Sequence, residues 1–271
     1  MTAPHAVAEP LAAPQAQVLT LSWSKASAIG MRDANEDALG LAQQDDMACF
    51  VMSDGAGGHE GGEVAARTVL EAVLDKFLNE SAFGTRALLS YVEHAVAVVA
   101  EVRKTEARLA DMSATVATVL LDLSNRRAVW AHLGDTRIYL FRQGRLRCVT
   151  HDHSVAQQLV DAGFAQADEL RDHPHRSLLF AAVGAEGGTP VAVSDEVHQL
   201  EDGDAFLLCT DGFWEWLLEP DMERTLSSTS TSDDWLAAMS AIADANAQAS
   251  DKARDNHSVY AIRLHAQAAA Q

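Results

Sequence analysis

The chain has 271 residues, 48% apolar and 22% charged, a composition that suits a soluble globular protein with room for one large domain. Its formal net charge of −19 argues against nucleic acid and anionic membrane as partners. No run is apolar enough to span a bilayer, and three cysteines in or beside apolar runs read as reduced thiols of a cytoplasmic protein, not a disulfide framework.

Residues 1–17 are rich in Ala and Pro, carry no Lys or Arg, and lack the basic start and apolar core of a signal peptide. They read as a disordered tail, as do residues 266–271. The span 18–265 reads as one domain. VLTLSWSKAS (18–27) alternates like a half-buried strand, and MACFVMSD (47–54) is an apolar strand that stops at Asp54. GEVAARTVLEAVLDKFLNE (62–80) and TRALLSYVEHAVAVVAEVRKTEARL (85–109) place apolar residues at helical spacing. Four strand-like runs follow over 113–124, 126–135, 136–144 and 145–150. A short helix over 154–163 closes on Gly163 as a cap. The polar segment 164–190 reads as an irregular flap. Strand character returns at 191–200 and 204–212, a helix spans 233–250, and HSVYAIRL (257–264) is the last strand. Strands feeding two antiparallel sheets, with helix pairs outside them, predict an α+β fold: a four-layer α-β-β-α sandwich.

The recurring event is an aspartate at the end of a buried strand: Asp54 in VMSDG, Asp135 in AHLGDTR, Asp211 in LLCTDG, and Asp255 just before the last strand. Glu36 and Asp37 add an acidic pair. Any one of these taken alone reads as a turn residue, since Asp-Gly is a common hairpin signal. Gathered together, carboxylates raise one another's pKa unless cations neutralise them, and such hard oxygen donors suit Mg²⁺ or Mn²⁺. Two such ions form a clamp for in-line displacement at phosphorus. Arg32, four residues before Glu36, is either a solvated neighbour of these acids or a fork for phosphate oxygens.

Other readings fit less well. The turn after Asp54 offers no P-loop lysine and no GxGxxG, and HEGGE has Glu63 where HExxH requires a second His. Cys148, His151 and His153 have conceivable zinc spacing but no fourth ligand.

RDANED, SDGAGGHEGGEVAA, SATVAT, HLGDTRIY, THDHS, TDGFW and DNHSV occur in the order found in metal-dependent Ser/Thr protein phosphatases of the PP2C (PPM) type. The chain resembles the compact, stand-alone bacterial form over about residues 24–264. The resemblance implies two Mn²⁺ or Mg²⁺ ions per chain, with a possible third, weaker site. Asp54 would bridge the two ions, with the Gly55 carbonyl on one and Asp211 and Asp255 on the other. Glu36 and Asp37 would bind metal directly or through water, and Asp135 would serve the third site with Asp211. Arg32 would hold phosphate, and 164–190 would influence substrate choice. Water activated between the ions would attack phosphoserine or phosphothreonine in line, without a covalent phosphoenzyme.

Two departures stand out. Eukaryotic members carry a histidine two residues after the bridging aspartate as the acid for the leaving oxygen, where this chain has Ala56. His59 is the nearest substitute, as general acid, as substrate contact, or as a histidine that only stabilises its turn. The flap lacks the Thr-Arg usual before its final Ala-Leu-Gly, so substrate preference does not carry over. The implied partners are phosphorylated Ser/Thr proteins and a cognate kinase pathway, served by a monomer. Some stand-alone relatives act in type VI secretion, and by analogy alone the DGAGGH form is compatible with that setting. The alternative from another class is a pseudophosphatase that binds phosphoproteins without turnover, against which the intact acidic positions weigh.

Overall fold

Alternating side chains carry the first run into a ten-residue strand, β1 (Leu19–Ala28). The computed structural model describes residues 19–56, 60–185 and 190–266. After β1 come β2 (Asp37–Gln44) and β3 (Met47–Ala56), joined by a tight turn in which Asp45 has φ 52°. Two long helices follow, α1 (Glu60–Asn79) and α2 (Thr85–Thr105). The next strands are β4 (Ser113–Ala114), β5 (Val116–Asp122), β6 (Arg127–Leu133), β7 (Arg137–Arg142) and β8 (Arg145–Val149). Helix α3 (Val155–Asp161) is capped by Ser154, whose side chain accepts the Gln157 N–H. Short ladders β9 (Ala192–Val193) and β10 (His198–Gln199) lead to β11 (Ala205–Cys209) and the single-turn α4 (Asp211–Trp214). Helices α5 (Glu219–Ser228) and α6 (Ser232–Gln248) and strand β12 (His257–Ala266) complete the chain.

The strands form two antiparallel sheets. One has the order β1-β12-β11-β7-β8; the other runs β10-β6-β5-β3-β2, with β4 on β3 and β9 on β6. Three apolar layers hold the sandwich together. Val69, Val73, Phe77, Leu88, Val92 and Val99 of α1 and α2 pack on Cys49, Val51, Val116 and Leu120. Phe50, Met52, Val119, Ile138, Phe206, Tyr260 and Ile262 fill the space between the sheets. Trp214, Trp235, Leu236 and Met239 cover the outer face of the other sheet. The alternation along β3, with Cys49 and Val51 outward and Phe50 and Met52 inward, is what lets one strand serve two layers. The four-layer α-β-β-α arrangement is the one expected.

Several local expectations need correction. DALGLAQQ forms β2, an edge strand that lacks polar alternation because Ala38 and Ala42 pack toward the helices and Leu39 and Leu41 toward the other sheet. The run 113–124 is two strands, because Thr115 turns its N–H to Asp54 O at 2.8 Å. Helix α2 ends at Thr105, and residues 107–109 form a tighter 3-10 turn. The run 191–200 gives only two short ladders. Asp211 opens a helix where a strand was expected to continue.

Candidate active site

The carboxylates gather where both sheets end. In the β2/β3 register Asp37 stands directly opposite Asp54, a like-charged cross-strand pair that opposes sheet formation unless something neutralises it. Asp135 lies in the turn that carries the chain from β6 to β7, hence from one sheet to the other. Asp211 follows β11, and Asp255 precedes β12.

Their electrostatics show the crowding. Burial pushes Asp54 well above the ordinary carboxylate range, and Asp37, Asp211, Asp135 and Asp255 push it further. Asp135 is raised by burial, then by Asp211 and Asp152, with Arg176 and Arg137 pulling it back. Asp37 is raised to about 7, first by burial, with hydroxyl groups easing the shift and Asp211 and Asp255 adding to it. Thr210 Oγ1 donates to Asp37 Oδ2 at 3.0 Å. The nearby Ser258 hydroxyl donates to Ser27 Oγ at 2.9 Å. By hydrogen-bond geometry Asp37 Oδ1 is therefore buried with no partner among the described residues. An orphaned carboxylate oxygen in an acidic cluster is the condition a cation relieves.

The residues therefore fit a hard divalent cation by donor type and by charge. They do not form a closed cage: among the described residues no three His, Cys, Asp or Glu groups are drawn together tightly enough to hold an ion alone.

Backbone contacts fix the frame. Gly55 N–H donates to Glu36 O at 3.1 Å, and Asp54 N–H to Thr115 Oγ1 at 2.9 Å. A Cβ on Gly55 would lie 2.2 Å from Gly62 O, so glycine lets the end of β3 touch the first turn of α1. A Cβ on Gly62 would lie 2.7 Å from the Glu36 carboxylate, which brings Glu36 to the same place. Asn256 ties the loops together: its Oδ1 accepts Glu36 N–H at 2.9 Å, and its Nδ2 donates to Ile29 O and Ala34 O at 2.7 and 2.9 Å.

Arg32 Nη2 donates to Asp255 Oδ2 at 2.5 Å, at the exposed rim of the cluster. Partial burial opposes its charge, but Asp255, Glu36 and Asp211 outweigh that and hold its pKa above the ordinary value. His59 lies outside the described residues. Ala56 ends β3, where its carbonyl accepts the Ser113 hydroxyl at 3.1 Å.

Sequence reasoning missed Arg176, from the segment between α3 and β9. It is 6% exposed, and its Nη1 donates to Asp211 Oδ2 at 2.8 Å. It also missed the supporting Thr210, Thr115 and Asn256. DNHS and CTDG contain two of these, but nothing in the spacing marks a side chain that acts through its neighbour. The candidate zinc trio serves structure: His153 Nδ1 accepts Gly134 N–H at 3.0 Å, and its ring stacks on His132 at 4.8 Å. Cys148 is half-buried, and burial pushes its thiol up.

Known proteins share this architecture. Residues 26–255 match the family model described as Protein phosphatase 2C. The serine/threonine phosphatase stp of Listeria monocytogenes is 30% identical over 210 residues, 74% of this chain and 81% of the relative. The serine/threonine protein phosphatase PstP of Mycobacterium tuberculosis is 33% identical over 211 residues, 77% of this chain and 38% of that longer protein. A crystal structure of PstP/Ppp superposes with a TM-score of 0.77 at 27% identity, covering 90% of this chain and 99% of that one. A PstP catalytic domain in complex with two manganese ions gives 0.76 at 25% identity, covering 91% and 99%. The chain belongs to the protein phosphatase 2C family of metal-dependent serine/threonine phosphatases.

Proposed function

We propose that the carboxylate centre hydrolyses phosphoserine and phosphothreonine in proteins, by direct in-line attack of water. The observation that carries this reading is the opposed pair Asp37 and Asp54 with the orphaned Asp37 oxygen. Asp54 and the Gly55 carbonyl, Asp211 and Asp255, with Glu36 and Asp37, would hold two divalent ions. Asp135 with Asp211 would hold a third, weaker one. When bound, Mn²⁺ or Mg²⁺ supplies Lewis acidity and offsets the charge that builds at phosphorus. Arg32 binds the outer phosphoryl oxygens and orients them. Asp37 and Asp54, held opposite each other by the β2/β3 register, keep the donor set rigid from one side. We assign His59 the proton for the leaving oxygen, or a contact to substrate.

No cysteine suits a covalent route. Cys49 and Cys209 are buried, and burial raises both thiols, that of Cys49 to about 12. The reading extends to a cytoplasmic monomer that reverses a Ser/Thr kinase. Its placement in type VI secretion rests on analogy alone, and chromosomal neighbours would test it. The site is tested by hydrolysis of p-nitrophenyl phosphate and a phosphothreonine peptide with Mn²⁺, with chelator, and in Asp54→Asn and Asp211→Asn. Metal-independent turnover, or full activity in both variants, overturns it. A pseudophosphatase would bind the peptide under every condition without turning it over.

A further inference from the structure

Behind Asp211 lies a carboxylate that the proposed chemistry does not use. Glu215 sits one helical turn after Asp211, its N–H donating to Asp211 O at 3.0 Å, which puts the two side chains on one side of α4. The Glu215 side chain is 6% exposed. A carboxylate at that depth is costly unless its oxygens are paired. Both are: Oε2 accepts from Arg176 Nη2 at 3.2 Å, and Oε1 accepts from Lys252 Nζ.

The two cations come from different segments. Arg176 belongs to the stretch between α3 and β9. Lys252 belongs to the loop from α6 into Asp255. Arg176 spends its other nitrogen on Asp211, so its planar fork bridges two carboxylates one turn apart. Arg171, from the same stretch as Arg176, donates to Trp214 O and to Glu219. Trp214 Nε1 donates in turn to Asp135 O at 2.9 Å. Elsewhere the stretch is held at buried Leu170 and at its far end, where Leu178 O accepts Val155 N–H at 2.8 Å and Phe180 N–H donates to His153 O at 3.0 Å, while the side chains of Phe164 and Leu178 stay 81% and 53% exposed.

We infer that Glu215 is a positioning residue that clamps the Arg176 stretch and the Lys252 loop onto α4, fixing where Arg176 meets Asp211 and how Asp255 enters the site. This rests on the carboxylate centre being the active site. The Arg176 half of the clamp dominates, because both partners are buried, whereas the Lys252 ammonium is half exposed and gains less from its pair. With Glu215 neutral, Arg176 keeps one ion pair among the described residues, to Asp211, beside its place over the Trp214 ring at 5.3 Å, and the stretch opens more often.

The test combines hydrogen exchange of residues 164–180, thermal melting, and steady-state kinetics on a phosphothreonine peptide and on p-nitrophenyl phosphate. Glu215→Gln is expected to speed exchange of that stretch about tenfold and to raise KM for the peptide by about as much, with a much smaller change for the compact substrate. Lys252→Met should do the same to a lesser degree, about two- to threefold. Exchange and peptide KM within twofold of wild type in a folded Glu215→Gln overturn the clamp. If Glu215→Gln melts far below wild type, Lys252→Met decides, and unchanged exchange there overturns it. If wild type hydrolyses neither substrate, the functional reading fails while the exchange data still decide the clamp.

Discussion

Thr210 and Asp37 meet across the sandwich: the threonine hydroxyl donates to Asp37 Oδ2 at 3.0 Å. One residue follows β11 in one sheet, and the other opens β2 in the opposite sheet. The same hydroxyl accepts Ser258 N–H at 2.9 Å, so β12 shares the joint. Together with the Asn256 bonds to Glu36, Ile29 and Ala34, this contact ties the two halves of the carboxylate centre to each other, and the second Asp37 oxygen is buried with no partner among the described residues.

Asp54→Asn keeps the shape of the side chain and removes its charge. Given the proposed role of Asp54 as a cation ligand, this change should cut kcat/KM by about 10³-fold, several kcal/mol of transition-state stabilisation. Calorimetric titration with Mn²⁺ should show weaker binding in parallel. Melting without metal should be unchanged or raised, because a crowded, buried charge is gone.

Arg32→Ala should act chiefly on substrate binding. KM rises by about tenfold while kcat changes less, as expected for an interaction made in both ground and transition states. A fixed KM with a collapsed kcat would show that Arg32 acts only in the transition state. The loss also unpairs Asp255, so Arg32→Lys, which keeps the charge without the fork, separates the two effects.

Gly62→Ala tests the position of Glu36. Alanine is the better helix former by about 1 kcal/mol, so secondary structure should not suffer. Its Cβ would fall 2.7 Å from the Glu36 carboxylate and displace it. The expected outcome is Mn²⁺ affinity lowered by about tenfold with circular dichroism unchanged. Unaltered affinity would remove Glu36 from the ligand set.

His59→Gln separates a proton donor from a turn residue through the leaving group. A phosphoserine peptide, whose alkoxide needs a proton, should lose about 10²-fold in kcat, and p-nitrophenyl phosphate should lose far less. Equal losses on both substrates would argue for a contact or structural role.

His153 carries a pH dependence of stability. Burial first, and then His132, lowers its pKa to about 4 from 6.5. Between those values the unfolded chain binds a proton that the native protein refuses, so the contribution is present above 6.5 and lost as pH falls toward 4. The buried carboxylates, with raised pKa values, oppose this trend over much of the same range. The comparison of wild type with His153→Asn isolates it: the melting temperature of wild type should fall more steeply from pH 6.5 to 4.5. Parallel curves would exclude the effect.

The sequence by itself determined the fold class and the list of acids. Apolar periodicity marks the ten-residue β1 and β3 and the 20- and 21-residue helices α1 and α2, because each pattern must face a core. It is silent on β2, an edge strand whose two faces pack on different layers, Ala38 and Ala42 on one and Leu39 and Leu41 on the other, and it misplaces Asp211, whose helix is too short to show a period. Aspartates at strand ends were legible because a charge cannot continue a buried strand. Only the tertiary structure decided that Asp37 faces Asp54, that Arg176 from a polar stretch lies on Asp211, and that Glu215 joins Arg176 to Lys252. Those contacts join residues 17, 35 and up to 39 positions apart in the chain. Local spacing is blind to them, since they exist only once two sheets close and bring low-dielectric surroundings to charges that are separate in the unfolded chain.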